Sequence, residues 1–288
     1  MLCLLQSSKD CDIIKQYIIW SIILNTNQDK RRKLSKTSTM HYGKLVLRSL
    51  FFLAALALYI VNRIENTGEP FGGYDEIPLV LGLIWIAYAV EIALRFFPAK
   101  IESMGCQKQF SKNYRPTGQS KPKLISWQRT FAAAAAWFAL NGLIGLLYAL
   151  GWIDSGILML ISLAYGVCDM VCILFFCPFQ TWFLKNRCCT DCRIYNWDFA
   201  MMFTPLVLIP SWFTWSLLAL SLLLLIRWEV TYRMHPERFS EETNACLSCK
   251  HCDEKLCHHK KQLRHFIVRE KERLKRETER LKTKFDRK

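Results

Sequence analysis

The stretch NACLSCKHCDEKLCHHKK, residues 244–261, gathers four cysteines and three histidines within eighteen residues. Its cysteines, Cys246, Cys249, Cys252 and Cys257, have the spacing C-x2-C-x2-C-x4-C. Two-residue gaps let a tight loop turn several thiolates toward one centre, as iron–sulfur clusters require. Zinc is the rival ion. Cys246, Cys249 and Cys257 with His258 or His259 supply a tetrahedral set, although zinc sites usually separate two ligand pairs by a longer loop. Free or redox-active thiols are the third chemistry open to these residues.

Over about a dozen residues the run resembles the C-x2-C-x2-C run of bacterial ferredoxins. It departs from that pattern at the last gap, which holds four residues instead of three, and His258 stands where a proline would follow. The resemblance implies an iron–sulfur cluster as cofactor. Its fourth ligand is then Cys257 or a cysteine from elsewhere, such as Cys192.

A second sulfur group lies upstream in CDMVCILFFCPFQTWFLKNRCCTDC, residues 168–192. Cys168 and Cys172 are four apart, so on a helix they share a face, with Asp169 beside them. Packing explains two membrane thiols, but an ionisable group at that depth is costly and usually functional. Cys177–Pro178 marks a helix exit. Cys188, Cys189 and Cys192 follow between Arg187 and Arg193, which favour thiolates and offset the charge of a thiolate-bound centre. These three are candidate cofactor ligands, with an unligated thiol cluster as the plain alternative. Cys3, Cys11 and Cys106 are isolated and read as bystanders.

The elements that must position these groups are membrane helices. Of the 288 residues 52% are hydrophobic, and they sit in long blocks instead of at core-like periods. The blocks are 45–61, 77–97, 131–152, 156–176 and 199–226, and a span needs about 20 apolar residues. So many apolar blocks leave too little polar surface for a soluble fold. The expected class is all-α, a polytopic integral membrane bundle with four to six membrane segments. Around the membrane domain 45–226 the sequence divides into a basic N-terminal extension 1–44, a cysteine-rich inner loop 177–198, a cysteine-rich metal-binding segment 227–259 and a charged amphipathic helix 260–288.

Charge gives orientation. Residues 25–48 hold seven Lys and Arg, 95–129 hold eight and the chain after Ile226 holds eighteen, while 62–76 holds one against four acids. Basic flanks stay cytoplasmic, so the first four blocks form two hairpins. The fifth block breaks the alternation, for one crossing would carry the most basic part of the chain outside. Pro205 and Pro210 interrupt it, so the expectation is a segment that turns near Pro210 and returns to the same side. A single kinked crossing is the alternative. On the favoured reading the cysteine-rich segments of this cell-membrane protein are cytoplasmic.

The net charge of +15 points to anionic lipid headgroups as partner. No recognisable nucleic-acid motif accompanies it, so nucleic acid is not expected. Glu91 and Arg95, spaced i, i+4, read as an internal ion pair or a proton or ligand site. Asn141, among glycines, reads as an amide bonding across helices. Asp198 reads as a helix cap. Ile267, Leu274 and Leu281 recur every seven residues, but Glu270 and Glu277 occupy the rest of the seam, so 260–288 reads as an exposed helix open to lipid or a soluble redox or regulatory protein. No phosphate loop, hydrolytic triad or HExxH motif marks an enzyme. The expected function is an iron–sulfur electron-transfer component. A zinc-structured scaffold or regulator is the alternative, and a soft-metal transporter working through Cys168, Asp169 and Cys172 ranks third.

Overall fold

The computed structural model describes residues 36–65, 79–98, 106–119, 121–186, 192–248, 268–270, 272–274 and 276. Seven α-helices order residues 36–248: α1 Lys36–Ile64, α2 Leu79–Leu94, α3 Cys106–Gln109, α4 Trp127–Ala149, α5 Ser155–Leu174, α6 Asp198–Met202 and α7 Trp212–Met234; the described residues between 268 and 276 are helical as well. No strand forms among the described residues; one isolated antiparallel bridge joins Pro116 and Asn244. Four helices are long and apolar enough to cross a membrane: Thr37–Ile64, Trp127–Ala149, Ser155–Leu174 and Trp212–Met234, with Leu79–Leu94 as a shorter apolar helix. The chain is an all-α membrane protein. A helix satisfies its backbone internally, which lipid demands of any segment that faces it.

Interhelix bonds fix the directions. Arg48 on α1 meets Gly166 and Asp169 on α5, while Tyr59 donates to Asp154 at the start of α5, at 2.9 Å. These two helices are therefore antiparallel, and their contact is the most extensive in the bundle. Trp85 Nε1 donates to Ser216 Oγ at 2.9 Å, and Arg227 donates to the Phe96 carbonyl. Hence α2 and α7 run parallel. The turn between α4 and α5 uses Gly151 at φ +73° after the last helical residues, a conformation that favours glycine. Asp154 then caps α5 by accepting from the Ile157 amide at 2.9 Å. Phe131, Phe138, Leu143 and Leu146 stay exposed on α4, as do Val46, Leu50 and Leu53 on α1. Apolar side chains left out of the core along a membrane helix are surface for lipid.

Two expectations shift in detail. The first apolar block, 45–61, lies inside a helix that starts well before it, because Lys44 and Arg48 are built into α1 and paired with acids of other helices. The fifth block is no single helix. α6 ends at Met202, a 3-10 turn over Thr204–Leu208 carries Pro205 in its first turn, and the chain extends to Ser211, whose hydroxyl accepts from the Phe213 amide to begin α7. Asp198 pairs with Arg95 at one end of α2, whereas Trp212 lies against Trp85 nearer the other. At 1.5 Å per helical residue, the segment 198–211 climbs about 15 Å along α2. Parallel α7 then descends beside it.

The end of the bundle at Arg95 and Arg227, termed basal below, is capped by three connections knitted together. Asn244, wholly buried, donates to the carbonyls of Lys108 and Arg238 at 3.1 and 2.9 Å and accepts from the Cys246 amide at 3.1 Å. The Ala245 amide donates to the Arg115 carbonyl at 2.8 Å, and the Lys123 amide donates to Ser240 Oγ at 3.0 Å. Asn196 donates to Gln109 Oε1 at 3.0 Å. Arg193 forks onto Glu229, which also accepts from Trp197 Nε1 at 2.7 Å. The connection after α2, the connection after α5 and the chain after α7 thus meet at one end.

Candidate functional site

Above this cap lies a chain of buried charges. Lys44 and Arg48 share one face of α1, four residues apart, while Glu91 lies on α2 and Arg95, also four residues on, stands just past its end. Glu91 is held by Lys44 Nζ at 2.8 Å and by Arg48 at 3.0 Å. Arg48 also donates to Asp169 Oδ2 and to the Gly166 carbonyl, both at 2.9 Å. Arg95 pairs with Asp198 at 2.6 Å. The Phe199 ring joins the two groups, with Arg95 Cζ 4.5 Å and Arg48 Cζ 5.7 Å from its centroid. Guanidinium over a desolvated ring is attracted by its negative face.

Three cations therefore meet three carboxylates, and the cluster carries no net charge. The i, i+4 pairing of Glu91 with Arg95 does not form. Each turns to a different helix, because Arg48 reaches Glu91 and the start of α6 brings Asp198 to Arg95. Asp198 is the first residue of α6 and not its cap, a position Trp197 holds; its Oδ1 accepts from the adjacent Phe199 amide at 2.9 Å. Asn141 does not bond across helices either; its amide donates to the Trp137 carbonyl of its own helix at 3.0 Å. His41, 1% exposed, sits at the edge of the charge chain with neither ring nitrogen bonded.

Beside the charges is a cavity of about 100 Å³ lined by Cys172, Cys177, Cys192, Met201 and Met202, with Asp169 and Asp198 in its wall. Aromatic rings of Trp137, Tyr165, Phe179 and Tyr195 also line it. Its shape follows from the exit of α5. The helix ends at Leu174, and Pro178 cannot continue it because it lacks an amide hydrogen. The chain turns through a π-helical turn over Phe179–Leu184 and leaves through Lys185 at φ +51°. Before that turn, the Phe175 and Phe176 amides both donate to the Val171 carbonyl, at 2.8 and 3.1 Å, which keeps Cys177 close to the end of α5. The Cys172 thiol is hydrogen-bonded to Cys177, and Cys177 Sγ also accepts from the Gln180 amide at 3.4 Å.

Cys172 shares the cavity with Cys177, whereas Cys168 is exposed and does not line it. Asp169 faces Arg48 and has its carboxylate committed there. Cys192 is buried in the cavity wall, while Cys188 and Cys189 lie outside the described residues. In the tail, Cys246 donates its thiol to the Asn113 carbonyl at 3.0 Å. Cys249, Cys252, Cys257 and His258 lie outside the described residues, as does His259. Among the described residues no three His, Cys, Asp or Glu side chains form a group that could hold a metal ion.

Sequence reasoning passed over Lys44 and Arg48, treated as a basic flank, and Met201 and Met202, hidden in an apolar block. The available signal was spacing: Lys44 and Arg48 are four apart, the same interval as Glu91 and Arg95. The chain matches no family model, no curated protein and no solved structure.

Proposed function

We propose that this chain is a membrane-embedded electron-transfer protein whose cysteine-rich tail, Cys246, Cys249, Cys252 and Cys257, carries an iron–sulfur cluster at the cytoplasmic face. The observation that carries the reading is the basal cap. Asn244 stitches the tail, two residues before Cys246, onto the connection after α2, at the same end where Cys177 and Cys192 face one cavity. Both sulfur groups are thereby served from one side, so a cluster in the tail would lie at the end of the bundle that already gathers thiols. The basic residues after Ile226 favour the cytoplasm for that end. They also favour a reduced, more negative cluster, and they offer anionic headgroups or an acidic soluble donor a docking surface.

Metal and acid-labile sulfide analysis of detergent-purified, anaerobically handled protein tests the reading. Iron and sulfide should be present with a visible band that dithionite bleaches, and Cys249→Ser with Cys252→Ser should remove all three. Zinc without sulfide would overturn it and make the tail a structural clasp; unchanged iron in the double variant would also overturn it.

A further inference from the structure

We infer that the cavity between the end of α5 and α6 binds one soft monovalent cation of the copper(I) type, held between the thiolates of Cys172 and Cys177. This inference is independent of a cluster in the tail and uses described residues alone. Five sulfur-bearing side chains, Cys172, Cys177, Cys192, Met201 and Met202, line one cavity. Thiolate and thioether ligands select copper(I) over hard cations.

The oxygen donors in the same wall are already taken. Asp169 is bonded to Arg48 at 2.9 Å and Asp198 to Arg95 at 2.6 Å. A calcium or magnesium ion, which needs several oxygens, would have to compete with a guanidinium for each of these carboxylates. A tetrahedral zinc site needs four ligands, and no described group of three serves. Copper(I) is satisfied by two thiolates in line, and the Cys172 and Cys177 sulfurs are already in contact.

Size argues the same way. The cavity is about 100 Å³, below the roughly 150 Å³ that admits a benzene ring. It suits an ion with at most a few waters, not a flavin or quinone ring. Charge is also provided for. One cation replaces two thiol protons, which pass to water, and no electron moves. The bis-thiolate complex carries one negative charge, beside a wall whose two carboxylates are each neutralised by a guanidinium. Cys177 lies at the helix exit near the basal cap, half-buried, where an ion delivered from that side would first meet sulfur.

The test uses full-length protein with Cys246, Cys249, Cys252 and Cys257 all changed to serine, so that the tail neither competes nor contributes iron. Anaerobic titration against chelator-buffered copper(I) should load one ion at the pair. Cys172→Ser with Cys177→Ser in that background should lose it, and Cys168→Ser should retain it. A second measurement covers variants that fail to fold. In the unaltered protein, silver(I) should protect Cys172 and Cys177, but not Cys168, from maleimide, as read by peptide mass spectrometry. Undiminished copper in the Cys172/Cys177 variant, or equal alkylation of the pair with and without silver, overturns the inference. Neither result bears on iron in the tail, so the two readings fail separately.

Discussion

Arg48→Met tests whether the charge chain holds the bundle together. Arg48 is 2% exposed and ties α1 to both α2 and α5 through Glu91, Asp169 and the Gly166 carbonyl. Methionine keeps most of the length and removes the charge. Breaking a buried pair by deleting one partner costs about 3–5 kcal/mol, because the remaining charge is left uncompensated. Glu91 keeps Lys44 at 2.8 Å, so Asp169 is the group abandoned, and the lower half of that range is expected. At about 1.4 kcal/mol per decade, the folded-to-unfolded ratio falls by two to three orders of magnitude. Equilibrium unfolding by SDS in mixed micelles reads this through tryptophan fluorescence, ten tryptophans being present. Adding Asp169→Asn should recover part of the loss, with a coupling of about 1–3 kcal/mol between the two sites. Arg48→Lys should remain well below the unaltered protein, since one ammonium nitrogen cannot occupy both positions from which the two guanidinium nitrogens reach Asp169 and Glu91. A loss under about 1 kcal/mol for Arg48→Met, or strict additivity in the double variant, would refute the argument that the pairs are buried and mutually dependent.

Three further outcomes are expected. A methyl at Gly166 would meet Tyr88 Oη at 2.5 Å and Met202 Sδ at 3.3 Å, so Gly166→Ala should cost about 1–3 kcal/mol by overpacking; Tyr88→Phe, which removes a hydroxyl that has no bonding partner, should restore part of it in the same SDS titration. Asn244→Ala leaves the Lys108 and Arg238 carbonyls buried without their donor, at about 1–3 kcal/mol each, and should speed hydrogen exchange of the Ala245 amide that bonds Arg115; unchanged exchange would mean the tail is held by something else. For sidedness, a cysteine at exposed Trp152 should react with an impermeant maleimide from outside intact cells and one at Lys121 only after permeabilisation, and the reverse pattern would invert the bundle.

How much of this was legible follows from which signals are local. Block length and apolarity are local, so the membrane helices are readable, and Pro205 with Pro210 gives away the break in the fifth block because proline acts on its own backbone. The charge chain is not local. Arg48 and Asp169 are far apart in sequence, and only the antiparallel packing of α1 on α5 turns a basic flank into the centre of the bundle. The i, i+4 rule that pairs Glu91 with Arg95 describes an isolated helix, where nothing better is within reach; in the folded bundle two stronger partners are. The same reasoning explains the thiols. Cys168 and Cys172 share a face on any helix, yet Cys177, past the end of α5, is the thiol that lines the cavity with Cys172. Motif spacing can point only to groups within one loop, and it misses side chains that the end of a helix brings into one cavity. A site whose oxygens are neutralised by arginines from two other helices and whose sulfurs come from a helix, its exit and α6 has no linear signature. In the proposed copper(I) site, selectivity for soft over hard ions would follow from this charge balance, in which Arg48 and Arg95, although no ligands, hold the two carboxylates.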